Sequence, residues 1–125
     1  MNRLLKLEEA GLFLLSVFLF SQLPYAWWWF LALLLAPDLG MLGYLFGPVV
    51  GAATYNAAHH RAVAVVCYLL GIMAPATSLA LAGVIMLGHS SADRILGCGL
   101  KYPDAFQHTH LGWIGRGRPS AGQAP

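Results

Sequence analysis

Residues 88–112, GHSSADRILGCGLKYPDAFQHTHLG, contain a His–Asp pair inside an apolar segment, and this pair is the feature around which the rest of the sequence is interpreted. The stretch begins as the end of an apolar helix with His89, Asp93 and Arg94, and it finishes as a polar tail with two further histidines. His89 and Asp93 are four residues apart, so both side chains extend from one face of a helix. Ionisable groups at such a position indicate a functional site.

The chain as a whole is too apolar for a soluble domain. Of its 125 residues, 58% are hydrophobic and only 10% are charged, whereas soluble domains contain about 25% charged residues. From residue 10 to residue 95 the formal charges are confined to Asp38, Arg61, Asp93 and Arg94. A lipid bilayer is the natural solvent for such a segment. The basic residues form no stripe, which argues against a nucleic-acid partner.

Apolar runs separated by turns that contain proline predict four transmembrane helices. They cover residues 10–23, 25–46, 49–73 and 76–96, and the first is short for the ~20 residues that a bilayer requires. Pro37 predicts a kink in the second helix. The aromatic group at residues 27–29 predicts an anchor at one membrane–water interface.

The distribution of basic residues predicts the orientation. Arg3 and Lys6 lie near one terminus and Lys101 lies near the other, while the turns at Pro24 and Ala74 have no Lys or Arg. The positive-inside rule therefore places both termini in the cytoplasm. The predicted protein is all-α and polytopic, with a four-helix transmembrane domain at residues 1–97 and a cytoplasmic tail at residues 98–125.

The polar residues of three predicted helices fall in one layer of the membrane. With 1.5 Å of rise per residue, Asp38 lies roughly 12 Å from the cytoplasmic end of its helix, His59 roughly 16 Å and His89 roughly 10 Å. Asp93 is one turn shallower than His89. Two imidazoles and two carboxylates that converge in this way suit zinc or another divalent metal, which would also neutralise the buried carboxylates. A metal with one position open to water can generate a hydroxide for hydrolysis.

Other interpretations stay open at this point. Asp93 can pair with Arg61 or Arg94, and His59 can bond a neighbouring amide or backbone carbonyl, which would make the cluster purely structural. A proton or ion path through the same groups is a third interpretation. The sequence does not decide whether His59 or His60 faces the cluster. His108 and His110 in the tail are candidates for proton transfer if the tail folds back over the site.

Several segments carry a resemblance to a known family. They are LEEAGLFLLSVFLFSQLPYAWWWF, APDLGMLGYLFGP, YNAAH and GHSSADRILGCGLKYPDAFQHTHLGWIGR. In these the chain resembles a family of bacterial integral membrane proteins described as a domain of unknown function, DUF4260. The resemblance covers nearly the whole chain and implies a multi-pass protein of the bacterial inner membrane.

A more distant resemblance concerns the order of the polar motifs. Pro-Asp, then a helix with histidine, then His-x-x-x-Asp is similar to the inner-membrane metal-dependent hydrolases. This likeness implies metal ligands at Asp38, His59 or His60, His89 and Asp93. The segment HHRAVA departs from that pattern, because the Thr-His-Ser that follows His-Arg-Gly in those hydrolases is missing.

Two functional hypotheses follow. In the first, the protein is a metal-dependent hydrolase of a membrane-associated substrate. In the second, it is a non-enzymatic accessory subunit that packs against a larger membrane complex or against itself. An enzyme should direct its polar residues into the bundle, whereas a subunit should present small and aromatic residues to its partner.

Overall fold

The computed structural model describes residues 3–104 and 107–114. The helices are α1 (Arg3–Ser21), α2 (Trp28–Leu33), a 3-10 helix (Ala36–Phe46), α3 (Pro48–His59), α4 (Arg61–Met73) and α5 (Thr77–Ile95). In the tail, β1 (His108–Thr109) pairs with β2 (Gly112–Trp113) in antiparallel fashion. Helix dominates the described residues, which confirms the all-α class. Residues 115–125 of the predicted tail lie outside the described part.

The predicted second helix is divided into α2 and the 3-10 helix. Pro37 lies in the first turn of the 3-10 helix, where proline is favourable because its φ is already helical and its missing N–H is not needed. Trp28–Phe46 together form a helical stretch of 19 residues with a mean hydropathy of 1.6. Of the described helices, this one alone is long and apolar enough to cross a membrane.

The predicted third helix is also divided, and the break corrects the expectation of one continuous helix. His60 has an extended backbone, with φ −82° and ψ 123°, and separates α3 from α4. Its Nδ1 accepts a hydrogen bond from the backbone N–H of Ala62, which caps the start of α4. Ser90 Oγ donates to the carbonyl of His59, so α5 satisfies one of the acceptors that the break exposes. His60 therefore serves as a cap and is exposed.

Helix α5 lies at the centre of the fold. It packs against α1 on one side and α4 on another, while the 3-10 helix packs against α3 as a separate hairpin. An apolar core joins α1, α2 and α5, with Phe30 in edge-to-face contact with Phe13 and Phe20. The hairpin meets α5 at its two ends. Just before the 3-10 helix, the Leu34 carbonyl contacts His89, and at the end of α3 the His59 carbonyl accepts a hydrogen bond from Ser90. This junction positions the polar residues.

Glycine allows α4 and α5 to approach closely. A Cβ atom added at Gly83 would lie 2.5 Å from the carbonyl oxygen of Ala64 and 2.5 Å from the backbone nitrogen of Tyr68. Both neighbours are backbone atoms, so the helices themselves would have to separate. Small residues serve this purpose in apolar helix pairs.

We expect Gly83→Ala to lower the free energy of unfolding by about 1–3 kcal/mol through overpacking. Gly11→Ala is the matched control, because nothing lies within 4 Å of a Cβ at that position. The control should be neutral or stabilising, since alanine favours a helix by about 1 kcal/mol over glycine. Unfolding in detergent micelles measures both, and equal stability of the two variants would contradict the close packing.

Candidate metal centre

Four polar side chains meet where the hairpin joins the bundle. Asp38 comes from the first turn of the 3-10 helix, His59 is the last residue of α3, and His89 and Asp93 lie one turn apart on α5. One potential ligand atom of each residue lies within 4.8 Å of all the others. The structure thus brings together the four residues named from the sequence, and it selects His59 rather than His60.

The distances within this cluster are short and regular. Asp38 Oδ1 lies 3.1 Å from His89 Nε2 and 3.5 Å from His59 Nε2. Asp93 Oδ2 lies 3.3 Å from His89 Nε2 and 3.4 Å from His59 Nε2. For comparison, metal–ligand bonds of 2.0–2.1 Å give a tetrahedral zinc site edges of about 3.3 Å. The four His–Asp separations are close to this edge length, and all four ligand atoms lie within 4.8 Å of one another.

Backbone contacts fix the orientation of both imidazoles. His59 Nδ1 lies 2.8 Å from the carbonyl oxygen of Tyr55, and His89 Nδ1 lies 2.6 Å from that of Leu34. A carbonyl can only accept, so each Nδ1 must carry the proton that it donates. In the neutral ring Nε2 then presents its lone pair to the centre of the cluster. Metal-binding histidines commonly show this arrangement, in which the second nitrogen is held by a hydrogen bond.

Both Nε2 atoms are buried and have no hydrogen-bond partner among the residues that the structure describes. The two histidine side chains are only 4% exposed, while Asp93 is 20% and Asp38 37% exposed. A buried polar atom without a partner is costly. Two such atoms that face two carboxylate oxygens fit a bound cation, and Asp38 marks the side from which solvent reaches them.

A purely structural cluster was expected to pair Asp93 with Arg61 or Arg94, and neither pair is formed among the described residues. Asp93 contacts the two histidines rather than Arg61 or Arg94. Arg61 instead pairs with Glu9, which links the start of α4 to α1. Sequence reasoning did not foresee this pair, because the partners are far apart in the chain and the break at His60 sets the position of Arg61.

Tyr55 contacts two residues of the cluster, Asp93 and His59. Its hydroxyl donates to Asp93 Oδ2 at 3.2 Å, and its ring stacks on His59 with centroids 3.8 Å apart. Tyr55 and His59 are four residues apart and therefore lie on one face of α3. This spacing is the sequence feature from which the contact of Tyr55 with the cluster could have been predicted. Tyr55 therefore orients one carboxylate and one imidazole of the same site.

The beginning of the tail packs against α3. Asn56 Nδ2 donates to the Lys101 carbonyl at 2.7 Å, and the Lys101 N–H donates to Asn56 Oδ1 at 2.6 Å. The Lys101 ammonium lies 4.8 Å from the centre of the Tyr55 ring, a cation–π distance. Burial lowers the pKa of Lys101, and burial likewise raises the pKa of the neighbouring Cys98 thiol.

The two tail histidines lie outside the group of four. His108 Nδ1 contacts the Asp104 carboxylate at 2.7 Å, and its ring lies between those of Tyr102 and Trp113 with centroids 4.3 Å away on each side. His110 Nδ1 accepts a hydrogen bond from the Leu100 N–H at 2.8 Å. These contacts hold the tail together, and burial lowers the pKa of His110.

If the cluster binds a divalent metal, Tyr55→Phe should weaken that binding by about 10- to 100-fold, because losing a hydrogen bond to a metal ligand usually lowers metal affinity by this factor. The change removes the hydroxyl and keeps the ring that contacts His59. Tyr25→Phe is the control, since the Tyr25 hydroxyl lies near Thr77 at the opposite end of α5. Competition with a chromophoric chelator measures both affinities, and equal affinities would show that the Tyr55 hydroxyl has no such role.

The fold and the site define a small, mostly helical protein with a cluster of two histidines and two aspartates between its helices. A family model described as a domain of unknown function, DUF4260, matches residues 2–114. The chain belongs to this family. No curated protein matches the chain, and no solved structure matches it.

Proposed function

We propose that the cluster binds a divalent metal ion such as zinc, and that the protein is a metal-dependent hydrolase of the bacterial inner membrane. The observation that carries the proposal is the pair of buried Nε2 atoms, which make no hydrogen bond within residues 3–104 and 107–114 and face two carboxylate oxygens at 3.1–3.5 Å. Each imidazole is already held in the tautomer that a metal requires.

Each residue of the site would have a separate role in such a reaction. A zinc ion in this position would supply a hydroxide near neutral pH by lowering the pKa of a bound water. His59 and His89, whose side chains are 4% exposed, would hold the ion from the buried side. Asp38 has the most exposed side chain of the four and borders the side that water and substrate can reach. Asp93 is held in position by the Tyr55 hydroxyl.

The test of the activity uses protein reconstituted in phospholipid nanodiscs. Metal-loaded protein should hydrolyse at least one member of a panel of ester, amide and phosphate substrates. A chelator should remove that activity and zinc should restore it. Activity that survives in Asp38→Asn protein, or that does not follow the metal content, would contradict the assignment.

The exterior of the described helices supports a membrane location. Large apolar side chains are exposed on the helices around α5, among them Leu14 and Phe18 on α1, Leu31 on α2 and Val66 on α4. Soluble monomers rarely expose contiguous apolar surfaces of this kind. We propose a multi-pass protein with both termini in the cytoplasm and Trp27 at the far interface.

Labelling with a membrane-impermeant maleimide tests this topology. In a background with Cys67 and Cys98 replaced by serine, Trp27→Cys should react in intact spheroplasts, because this position is 73% exposed and lies on the outer side in the proposed topology. Tyr102→Cys, at a position 45% exposed, should react only after lysis. The reverse pattern would overturn the proposed orientation.

One observation favours the accessory-subunit alternative. The 3-10 helix exposes four large apolar side chains, Leu39, Leu42, Leu45 and Phe46, and the first three are spaced at three residues, one turn of such a helix. A larger membrane protein would bury this surface. Under this alternative, Leu45→Gln with Phe46→Gln should release the protein from a complex solubilised from native membranes. A hydrolase acting alone should keep its size.

A further inference from the structure

We propose that Lys101 competes with the metal ion for the two carboxylates of the cluster, so that metal binding loosens the tail segment of residues 98–102. This inference rests on the proposed metal site and concerns its regulation. Lys101 belongs to the tail, yet it is only 5% exposed. A lysine is almost never buried so deeply unless opposite charge stabilises it. The acidic residues near its ammonium therefore determine whether it stays buried.

The ammonium of Lys101 lies close to the cluster. Its Nζ is 4.8 Å from the centre of the Tyr55 ring. That ring stacks on His59, and the Tyr55 hydroxyl donates to Asp93 Oδ2. One side chain thus connects Lys101 to two of the proposed ligands. Burial lowers the pKa of Lys101, while Asp93 and Asp38 attract the ammonium and oppose that shift.

The backbone of the tail segment forms one wall of the site. Lys101 exchanges two hydrogen bonds with the side chain of Asn56, which lies one turn before His59 on α3. Residues 98–100 line a small cleft together with His59 and Asp93. The segment that positions the ammonium therefore also covers one side of the cluster.

A divalent cation removes the attraction that keeps the ammonium buried. In the metal-free protein, the carboxylates of Asp38 and Asp93 attract Lys101, and this attraction offsets part of the free energy that burial of its charge costs. A divalent cation bound by the two carboxylates cancels their charge, whereas the cost of burial remains. Metal binding should therefore weaken the docking of the tail segment. By linkage, undocking of the segment must strengthen metal binding by the same factor.

Zinc titration against a chromophoric chelator, with full-length protein in nanodiscs, tests the competition. Lys101→Met removes the charge and keeps an unbranched side chain. We expect it to bind zinc at least about tenfold more tightly than the wild type, because tenfold is about 1.4 kcal/mol and one nearby charge supplies that much. Lys101→Arg keeps the charge and the cation–π contact and should bind zinc as the wild type does. Lys6→Met, at an exposed position, is the control and should have no effect.

The direction of the change distinguishes competition from a structural role. If Lys101 only stabilised the site, its replacement would weaken zinc binding. Asn56→Ala provides a second variant, because it removes both hydrogen bonds to the Lys101 backbone and leaves the charge in place. It should undock the tail segment and also strengthen zinc binding.

Hydrogen exchange of the backbone amides measures the docking of the tail segment. In the wild type, saturating zinc should speed exchange in residues 98–102 by at least about tenfold, the factor that linkage requires. In Lys101→Met zinc should not speed it. A ligand that merely stabilised the whole fold would slow exchange instead.

The outcomes separate this inference from the metal site. Wild-type protein that binds no zinc would overturn the metal site, and the competition with it. Zinc binding in the wild type that is no tighter in Lys101→Met or in Asn56→Ala would overturn the competition alone. Exchange in residues 98–102 that stays constant or slows when zinc binds would do the same.

Discussion

Replacing His89 and Asp93 together by alanine is expected to abolish stoichiometric binding of divalent metal and to leave a folded protein in the membrane. The two residues supply half of the proposed ligands from adjacent turns of α5. The remaining pair, Asp38 and His59, comes from two separate helices and offers no comparable chelate. Loss of two ligands from a four-ligand site should reduce the affinity by several orders of magnitude.

The chain contains a matched control for this change. Asp104 and His108 also form a His–Asp pair four residues apart, with 2.7 Å between Nδ1 and Oδ2, outside the cluster. The double change Asp104→Ala with His108→Ala should leave metal affinity as in the wild type. Zinc titration against a chromophoric chelator measures both proteins. Unchanged affinity after the loss of His89 and Asp93 would place any metal elsewhere.

Replacing Glu9 by alanine is expected to cause a large loss of stability. The Glu9 side chain is 10% exposed and pairs with Arg61, which is 27% exposed. Removing one partner of a buried pair leaves the other charge uncompensated and costs about 3–5 kcal/mol. Because Arg61 keeps some contact with solvent, we expect the lower end of this range.

Glu8→Ala provides the comparison, because Glu8 precedes Glu9 and is exposed. Its replacement should change the free energy of unfolding by less than about 0.5 kcal/mol. The double variant Glu9→Ala with Arg61→Ala should recover part of the loss, which a double-mutant cycle measures directly. Equal effects of the Glu8 and Glu9 changes would show that the ion pair does not stabilise the protein.

The polar cluster could be anticipated from the sequence because it depends on simple spacing. His89 and Asp93 share a face of one helix, and approximate depths sufficed to bring Asp38 and His59 to the same layer. Errors of a few residues at helix ends do not disturb such an argument. The all-α class followed from the apolar composition. The role of the four residues as metal ligands remains a proposal.

The break at His60 could not be anticipated in the same way. The local sequence HHRA contains neither proline nor glycine, and the interruption is stabilised by tertiary contacts, including the hydrogen bond from Ser90 to the His59 carbonyl. The Glu9–Arg61 pair depends on that break. The Asn56–Lys101 contact likewise joins residues far apart in the chain, so local patterns carry no signal for it.

Elemental analysis of gently solubilised, tag-free wild-type protein tests directly whether the cluster holds a metal. We expect close to one equivalent of zinc or another divalent metal per chain when no metal is added during purification. We also expect none in the variant that lacks His89 and Asp93. Absence of metal from the wild type, together with a larger co-purifying complex, would contradict the proposed metal site and favour the accessory-subunit alternative.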